Sequence, residues 1–528
     1  MSDITTDDIQ YAEKLIGLTL TDAERELMLS GLEDMRRGYE AIRSVALPNN
    51  LWPATRFDPT MAAAGDPPTH LQTSQIDESP LTPPNSTNDL ALWPASDLAR
   101  WLQAGKITSL ELTQLYLDRL QRYDAHLHCV ITLTEERAME QAQRADAERR
   151  AGLTRGPLHG IPWGVKDLLA VRGYPTTWGA TPYKEQIINQ DARVVQRLDD
   201  AGAVLVAKLT LGALAWGDVW FGGQTRTPWN VEMGSSGSSA GPGAATAAGL
   251  VGFSIGTETY GSIVSPSTRN GVTGLRPTFG RVSRDGAMAL SWTMDKIGPM
   301  CRSAEDCALV FAAIHGADER DPTTVDQPFP WPPDIDLREV RLGYLADDFA
   351  GDYRERENDE RALQVFREMG VTLIPITLPD LPIEPLKLIL FAEAAAAFDE
   401  LTRSNQDDLL VRQEEDAWPN FFRLARFVPA VEYIQANRVR TLLMIAMEEL
   451  FSHVDAYIGP SLVGENLLLT NLSGHPALTL PTGLGEDGLP TSITLTGRLY
   501  DEAMILGLGR VFQRETDFHQ ARPPILQP

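Results

Sequence analysis

Two short loops rich in glycine and serine carry the residues of this sequence that are best suited to chemistry. Residues 234–241 read G-S-S-G-S-S-A-G, and residues 256–262 read G-T-E-T-Y-G-S. Glycine lets the backbone turn tightly and brings its N–H groups close to a ligand or a reacting atom. A serine hydroxyl becomes a nucleophile when a base lies within hydrogen-bond reach. The chemistry of the two loops therefore depends on the base that reaches them.

Three other interpretations of the loops are weaker. A flexible linker is disfavoured because the apolar segment 244–250 lies between them. A phosphate-binding loop ends in Gly-Lys-Ser/Thr, and no lysine occurs between Gly234 and Ser262. A nucleophile elbow centred on Ser239 fits G-x-S-x-G, but it needs a preceding strand, and residues 227–233 look like a turn. Ser239 is therefore a poor candidate nucleophile.

Lys166 is the candidate base. It ends an apolar, strand-like run over residues 160–166, where a solvated lysine would be out of place. One interpretation is a buried ion pair with Asp167 or another carboxylate. The other is that burial lowers the pKa of Lys166, so that the neutral amine can accept a proton from a serine. Both interpretations remain open from the residues alone.

These three segments together resemble the amidase signature hydrolases. The family pattern is a lysine after a G-x-P-x-x-V-like stretch, a G-S-S-G-like loop and a G-T-[DE]-x-x-G-S loop. Ser262 lies 24 residues after Ser238 and 96 after Lys166, which fits the family spacing. The resemblance covers roughly residues 90–528. It continues through residues 270–278, 280–284, 295–299 and 474–483.

The resemblance implies a catalytic role for three residues. Ser262 would be the nucleophile that forms an acyl-enzyme. Ser238 would relay a proton and would follow an unusual cis peptide bond. Lys166, neutral at rest, would be the ultimate base and would later supply the proton to the leaving amine.

The resemblance also implies an oxyanion hole, in which backbone N–H groups converge on one oxygen. The four residues expected to supply them are Thr259, Tyr260, Gly261 and Ser262. Three more residues are expected to support the site, namely Ser239, Thr257 and Gly237.

The sequence departs from the family pattern near the second loop. Glu258 and Tyr260 stand where Asp and Gly are commonest, and the segment 211–217 lacks a glutamate often found there. Four aromatic residues close to the first loop are predicted either to pack in the core or a lid or to line an apolar acyl or aryl pocket. They are Trp216, Trp220, Phe221 and Trp229.

The resemblance implies hydrolysis of linear C–N amide bonds through a Ser-cisSer-Lys triad, with no cofactor and no metal. A carbamate or aryl ester hydrolase with the same triad is an alternative, because a base that also protonates the leaving group serves all three substrates. A glutamine-dependent amidotransferase A-type subunit is another alternative, and a catalytically inactive, binding-only member is a third. A homodimer stays an open expectation.

Composition limits the partners and the compartment. A formal net charge of −26 argues against nucleic acid, which requires clusters of Lys and Arg. No apolar run approaches 18 residues, so no membrane span is expected. The start lacks the features of a secretory signal, and the three cysteines, Cys129, Cys301 and Cys307, suggest buried thiols in a reducing cytoplasm. His159 and His475 are expected to pack or bond locally rather than to bind a metal.

We predict an α/β fold, in which the resemblance implies a single large core with a mixed, mostly parallel twisted sheet covered by helices. Three parts are expected: a helical hairpin over 1–46, a Pro-rich extended linker over 47–91 and an amidase-signature domain over 92–528. The hairpin combines a helix over 8–16 with a second helix to about residue 45, which Thr21 and Glu24 open as a capping box. It is similar to the small C subunit of tRNA-dependent amidotransferases.

Within the large part, the pattern of residues predicts individual elements. Helices are expected over 95–122, 135–151 and much of 380–450, where the resemblance suggests a substrate funnel. Strands are expected over residues 203–209, 251–255, 340–344, 371–376, 456–458 and 492–495.

Overall fold

The computed structural model describes residues 4–47, 54–55, 57–62, 82–84 and 86–526. Most of the linker predicted over 47–91 therefore lies outside the described residues. None of the helices in the described part of the chain combines the length and apolarity that a bilayer crossing requires.

A mixed sheet of eleven strands forms the centre of the described chain, in the order β1-β3-β2-β8-β10-β9-β14-β15-β13-β11-β12. The other four strands form two short ribbons, β4-β5 and β6-β7. The strands are β1 (Val130–Leu133), β2 (Pro162–Lys166), β3 (Val204–Leu209), β4 (Val219–Trp220), β5 (Gly223–Gln224), β6 (Arg226–Thr227), β7 (Asn230–Gly234), β8 (Phe253–Glu258), β9 (Thr273–Arg276), β10 (Lys296–Cys301), β11 (Arg341–Leu345), β12 (Thr372–Ile376), β13 (Ala456–Pro460), β14 (Ala477–Leu484) and β15 (Pro490–Gly497).

Helices pack against this sheet and bury its apolar residues in one large cluster and several smaller ones. The helices are α1 (Thr6–Ile16), α2 (Asp22–Ser44), α3 (Thr87–Ala91), α4 (Ala95–Gln103), α5 (Ser109–Leu127), α6 (Glu135–Arg150), α7 (Arg193–Asp200), α8 (Ala240–Ala247), α9 (Val264–Asn270), α10 (Ala304–Ile314), α11 (Ala346–Ala350), α12 (Arg356–Glu368), α13 (Lys387–Ala397), α14 (Asp399–Arg403), α15 (Trp418–Ala425), α16 (Ala430–His453), α17 (Asn466–Ser473) and α18 (Glu502–Glu515).

The α/β class and the mixed sheet are confirmed, but the expectation that most pairings are parallel is wrong. Parallel pairs join β2 to β3 and to β8, and β11 to β12 and to β13. The other six pairings are antiparallel and include the whole middle of the sheet, from β8 through β10, β9, β14 and β15 to β13. Antiparallel neighbours can be joined by short turns, whereas a parallel pair needs a crossover, and β14 and β15 are joined in this short way.

All six strands predicted from sequence lie within three residues of observed strands, and the one over 492–495 is the middle of the longer β15. The helix expected over 95–122 is two helices, α4 and α5. Between them Gly105 adopts a left-handed φ of 63°, and Thr108 caps α5 through its hydroxyl. The region 380–450 is helical, as predicted.

The two N-terminal helices are confirmed, and both open with a capping box, at Thr5 and at Thr21. They pack on α15 through a small apolar cluster that includes Ile9, Met28 and Leu424. A Cβ at Gly31 of α2 would lie 2.5 Å from Leu424 Cδ1. Helix α2 therefore lies unusually close to the core helix α15.

Candidate active site

Lys166 lies at the carboxyl end of β2, a strand that is buried along its whole length between β3 and β8. The three shortest hydrogen bonds of Lys166 Nζ all reach hydroxyl oxygens. They are at 2.8 Å to Ser238 Oγ, 2.8 Å to Thr257 Oγ1 and 3.0 Å to Ser239 Oγ. The structure thus brings together the lysine and both loops that the sequence singled out.

Asp167, the next residue, does not pair with Lys166. Successive side chains of a strand point to opposite faces, and Asp167 Oδ1 lies 2.7 Å from Lys208 Nζ, with both side chains fully buried. The other carboxylate oxygen accepts hydrogen bonds from the Thr177 amide and hydroxyl, at 2.8 Å and 2.5 Å. Of the two interpretations of Lys166, the ion pair with Asp167 is therefore wrong.

Burial controls the protonation of Lys166. Loss of solvent lowers the pKa of its amine well below 10.5, and the more distant charges of Asp295 and Glu258 oppose this only in part. Burial disfavours a charged group unless a counter-charge compensates it. Burial therefore favours the neutral amine, the form that a lysine needs in order to act as a base.

The peptide bond between Gly237 and Ser238 is cis, as the resemblance implied. Gly237 has no room for a side chain, because a Cβ would lie 1.8 Å from the carbonyl oxygen of Gly217. Ser238 is buried at 1% exposure, with its hydroxyl on Lys166. The loop before it is held by Asp218, whose carboxylate accepts a hydrogen bond of 3.0 Å from the Ser236 amide. The role of Asp218 in holding this loop was not predicted from the sequence.

Ser239 connects the two loops. Its hydroxyl donates to the Thr257 carbonyl and accepts from the Thr257 amide, both at 3.1 Å. Its own amide donates to the Ser262 carbonyl at 3.2 Å. Although Ser239 precedes helix α8, its side chain makes no helix cap. Its hydroxyl hydrogen is therefore already engaged by the Thr257 carbonyl, and its supporting role in the site stays a prediction.

The second loop turns between the end of β8 and the start of α9, and it presents Ser262 at 8% exposure. Gly261 adopts a left-handed φ of 85°, which L side chains rarely tolerate, and a Cβ there would come within 3.1 Å of Leu467. A glycine is thus required immediately before the candidate nucleophile. The catalytic roles of Ser262 and of the N–H groups at 259–262 stay a prediction.

Glu258 anchors this loop from below. One carboxylate oxygen accepts the amides of Ile263 and Val264, at 2.7 Å and 2.9 Å. The other lies 2.8 Å from both Arg276 Nη1 and Asn471 Nδ2. Burial alone would raise the pKa of Glu258, but these partners outweigh it and lower the pKa to about 2. In the sequence, Glu258 stood out only as a departure from the family pattern, and its role in positioning the second loop was not predicted.

Asp295 holds the other side of the loop. Its Oδ1 accepts a hydrogen bond of 2.6 Å from the Thr259 hydroxyl, and its Oδ2 accepts the amides of Leu290 and Ser291 at 2.8 Å and 2.9 Å. Burial raises the pKa of Asp295, and the Thr259 hydroxyl opposes the shift. Asp295 opens the D-K-I-G-P segment that the resemblance included, yet only the fold places it against the loop.

Two cavities border the second loop. One, of about 640 Å³, is lined by Tyr260 and Trp216. The other, of about 430 Å³, is lined by Thr257, Thr259 and Asp295. The loop therefore separates two spaces in which parts of a substrate could lie.

The four aromatic residues near the first loop have different environments. Trp216 lines the larger cavity, whereas Trp229 is buried and donates its indole N–H to the Asn270 carbonyl at 2.8 Å. Trp220 packs edge-on against Phe221. Trp216 thus fits the interpretation of an apolar pocket, and Trp229 fits core packing.

The histidines and cysteines lie elsewhere. His475 bonds Ser473 Oγ through Nδ1 at 2.8 Å and stacks on Phe451, and His159 lies 3.0 Å from Glu148. In the residues that the structure covers, no three His, Cys, Asp or Glu side chains are grouped as a metal site would require. The three cysteines are buried and form no disulfide bond.

Comparison with known proteins places the chain in a family. The Amidase family profile matches residues 111–469. The A-type subunit of glutamyl-tRNA(Gln) amidotransferase from Roseiflexus sp. (strain RS-1) is 35% identical over 480 residues, which are 81% of this chain and 98% of that protein. Native peptide amidase from Stenotrophomonas maltophilia has a TM-score of 0.72 at 30% identity, covering 82% of this chain and 99% of its own.

An amidase family protein from Bacillus anthracis str. Ames has a TM-score of 0.73 at 26% identity, covering 82% of this chain and 92% of its own. These similarities extend over nearly the whole length of the relatives and over about four fifths of this chain. The chain therefore belongs to the amidase family, the amidase signature enzymes, and it is an enzyme that acts on carbon–nitrogen amide bonds.

Proposed function

We propose that this chain hydrolyses linear C–N amide bonds with Ser262 as nucleophile, Ser238 as proton relay and Lys166 as base. The observation that carries the proposal is the distance of 2.8 Å between Lys166 Nζ and Ser238 Oγ, at a lysine whose nearest partners are all hydroxyls. A neutral amine has two hydrogens and one lone pair, so it can donate hydrogen bonds to two of these hydroxyls and accept a hydrogen bond from the third.

Ser238 and Thr257 can each donate to that lone pair, and the family resemblance assigns the donor role to Ser238. The hydroxyl hydrogen of Ser239 is directed at the Thr257 carbonyl, so Ser239 can only accept from the amine. In the proposed first step, Ser262 Oγ attacks the substrate carbonyl carbon while its proton moves to Ser238, and the proton of Ser238 moves to Lys166. The N–H groups of residues 259–262 would bind the oxyanion.

The same three residues would complete the formation of the acyl-enzyme and then hydrolyse it. Lys166, now an ammonium, returns its proton through Ser238 to the amine nitrogen, and the C–N bond breaks. Water attacks the Ser262 ester while its proton passes through Ser238 to Lys166. The proton then returns through Ser238 to Ser262 Oγ as the ester C–O bond breaks, which releases the carboxylic acid and restores the free enzyme. Carbamates and aryl esters would pass through the same steps, so both remain alternative substrates.

A glutamine-dependent amidotransferase A-type subunit is the second candidate. Curated relatives at 31–35% identity carry that name, and the similarity covers 96–99% of their length. In that role the same serines would release ammonia from glutamine for partner subunits. The resemblance of the N-terminal hairpin to a C subunit would then mean that part of such an assembly is fused to this chain.

The two candidates differ in what the purified chain does alone. We would incubate it with glutamine, primary amides, anilides, carbamates and aryl esters, identify the products, and use the Ser262→Ala protein as the control for each. Turnover of a simple amide without ATP, tRNA or partner proteins supports the hydrolase. Turnover of glutamine only when partner subunits are added would favour the amidotransferase role. Amide turnover that persists in the Ser262→Ala protein would overturn the proposed triad.

A further inference from the structure

The N-terminal helix α2 lines the larger of the two cavities beside the second loop. On the core side this cavity of about 640 Å³ is lined by aromatic residues that include Trp216, Tyr260 and Phe391. On the other side it is lined by Met35 and Gly38 of α2. Its volume lies in the range of small-molecule sites, which are typically about 300–1,000 Å³.

The second loop reaches this cavity, and so does Trp216, which lies beside a residue packed on the first loop. Tyr260 is two residues before Ser262 in the second loop. Trp216 precedes Gly217, whose carbonyl packs against Gly237 at the cis peptide bond. A group lying in the cavity would therefore contact Tyr260, two residues before Ser262, and Trp216, whose neighbour Gly217 packs on Gly237.

The chemistry of the cavity favours an uncharged, apolar occupant. The four charged residues on its wall form two ion pairs, in which each charge is neutralised by its partner. These pairs are Arg37 with Asp34 and Lys387 with Glu384. Lys387 also lies over the Tyr260 ring, with Nζ 5.3 Å from its centroid. The aromatic side chains that remain offer flat apolar surfaces, which favour aromatic and long alkyl groups.

The second cavity distinguishes the two halves of an amide. Thr257, which lines that smaller cavity, accepts a hydrogen bond of 2.8 Å from Lys166, whose proton would reach the leaving amine through Ser238. The leaving amine is thus assigned to the side of Thr257, and the acyl group to the opposite side, where Tyr260 lies.

Helix α2 is held firmly enough to form a pocket wall. Glu24 at its start lies 2.6 Å from Arg423, a buried residue of α15, and Arg43 near its end lies 2.5 Å from Glu432 of α16. The Tyr39 hydroxyl donates to the Phe427 carbonyl at 3.3 Å. One anchor at the start of α2 and two near its end keep the spacing between α2 and the core.

On the basis of the proposed function, we propose that α2 forms one wall of the acyl pocket and that the pocket selects amides whose acyl group carries an aromatic or long alkyl chain. Gly38 is the informative position, because a Cβ there would lie in ordinary contact with Pro385, at 3.5 Å. The first atom of a larger side chain fits, and the rest would occupy the cavity.

The test compares the para-nitroanilides of acetic acid and of phenylbutyric acid on the full-length protein. The native protein should prefer the phenylbutyryl anilide in kcat/KM by about tenfold or more. Gly38→Phe should lower that preference about tenfold, while acetyl anilide turnover stays within about threefold. Met35→Trp is the second filling variant, should Gly38→Phe fail to fold. Glu40→Phe, on an exposed position of α2, is the matched control.

The results distinguish a failure of the pocket proposal from a failure of the proposed function. An unchanged preference in the folded filling variants, or an equal change in Glu40→Phe, overturns the pocket and leaves the hydrolase intact. A native protein that turns over neither these anilides nor any other amide overturns the proposed function and the pocket with it.

Discussion

Lys208 Nζ lies 2.7 Å from Asp167 Oδ1, so the carboxylate beside the candidate base is already paired with a different lysine. The two lysines come from neighbouring parallel strands, β2 and β3, and end on different partners. Lys208 forms a buried ion pair, whereas the three shortest hydrogen bonds of Lys166 all join it to hydroxyl groups. This division of roles leads to opposite expectations for the two residues.

Lys208→Met should destabilise the protein by about 3–5 kcal/mol, because it leaves the Asp167 carboxylate buried without its cation. The denaturant midpoint of unfolding measures the loss. Lys106→Met, at an exposed lysine, is the control and should leave the midpoint unchanged. A Lys208→Met protein as stable as the native one would show that the pair contributes little.

Lys166→Met should change the pH dependence of stability. The pKa of Lys166 is lowered by burial, whereas the unfolded chain has the usual value of 10.5, so between these values the unfolded state binds the extra proton. Native stability should therefore rise relative to Lys166→Met as the pH is raised from neutral towards 10.5. Unfolding midpoints of the two proteins across that range test this. A constant difference would mean that Lys166 is charged in the folded protein.

Lys166→Ala should lower amide turnover by about 10²–10⁴-fold, the usual effect of removing a general base. The loss should be smaller for an aryl ester of the same acyl group, because a phenolate leaves without being protonated first. Steady-state kcat/KM for the matched amide and ester gives the comparison. Equal losses for both would make Lys166 a structural residue.

Ser262→Ala should reduce turnover at least about a thousandfold and abolish labelling by a fluorophosphonate, with folding intact. Ser265→Ala, three residues later, removes a hydroxyl that pairs with Ser236 Oγ at 2.6 Å and serves as the matched control. It should retain most of the activity and the label. Labelling that survives in Ser262→Ala would assign the nucleophile elsewhere.

Glu258→Gln should lower both stability and kcat, because it leaves Arg276 without its buried partner and weakens the anchor of the second loop. The pKa of Glu258 is lowered from 4.5 to about 2, so its charge contributes about 3 kcal/mol that is complete above pH 4.5 and lost as the pH falls towards 2. Unfolding midpoints of native and Glu258→Gln protein over this range measure it. The exposed Glu232→Gln is the control.

The sequence alone determined several features that depend on near neighbours. The two glycine–serine loops, Lys166 and the capping box at Thr21 are all recognised within a few residues, because hydrogen bonds of turns and helix ends are local. Strand and helix positions followed from hydrophobic periodicity. The spacing of the loops and the lysine was sufficient to indicate the amidase signature enzymes.

The tertiary structure decided what depends on distant contacts. The order and direction of strands in the middle of the sheet are set by packing, so the mostly parallel sheet was not a local property. The same holds for the partners of Asp167, for the buried positions of Glu258 and Asp295 beneath the second loop, and for α2 beside Tyr260. Burial and long-range pairing set the pKa of a lysine or a glutamate, and neither can be read from the residues that adjoin it in the chain.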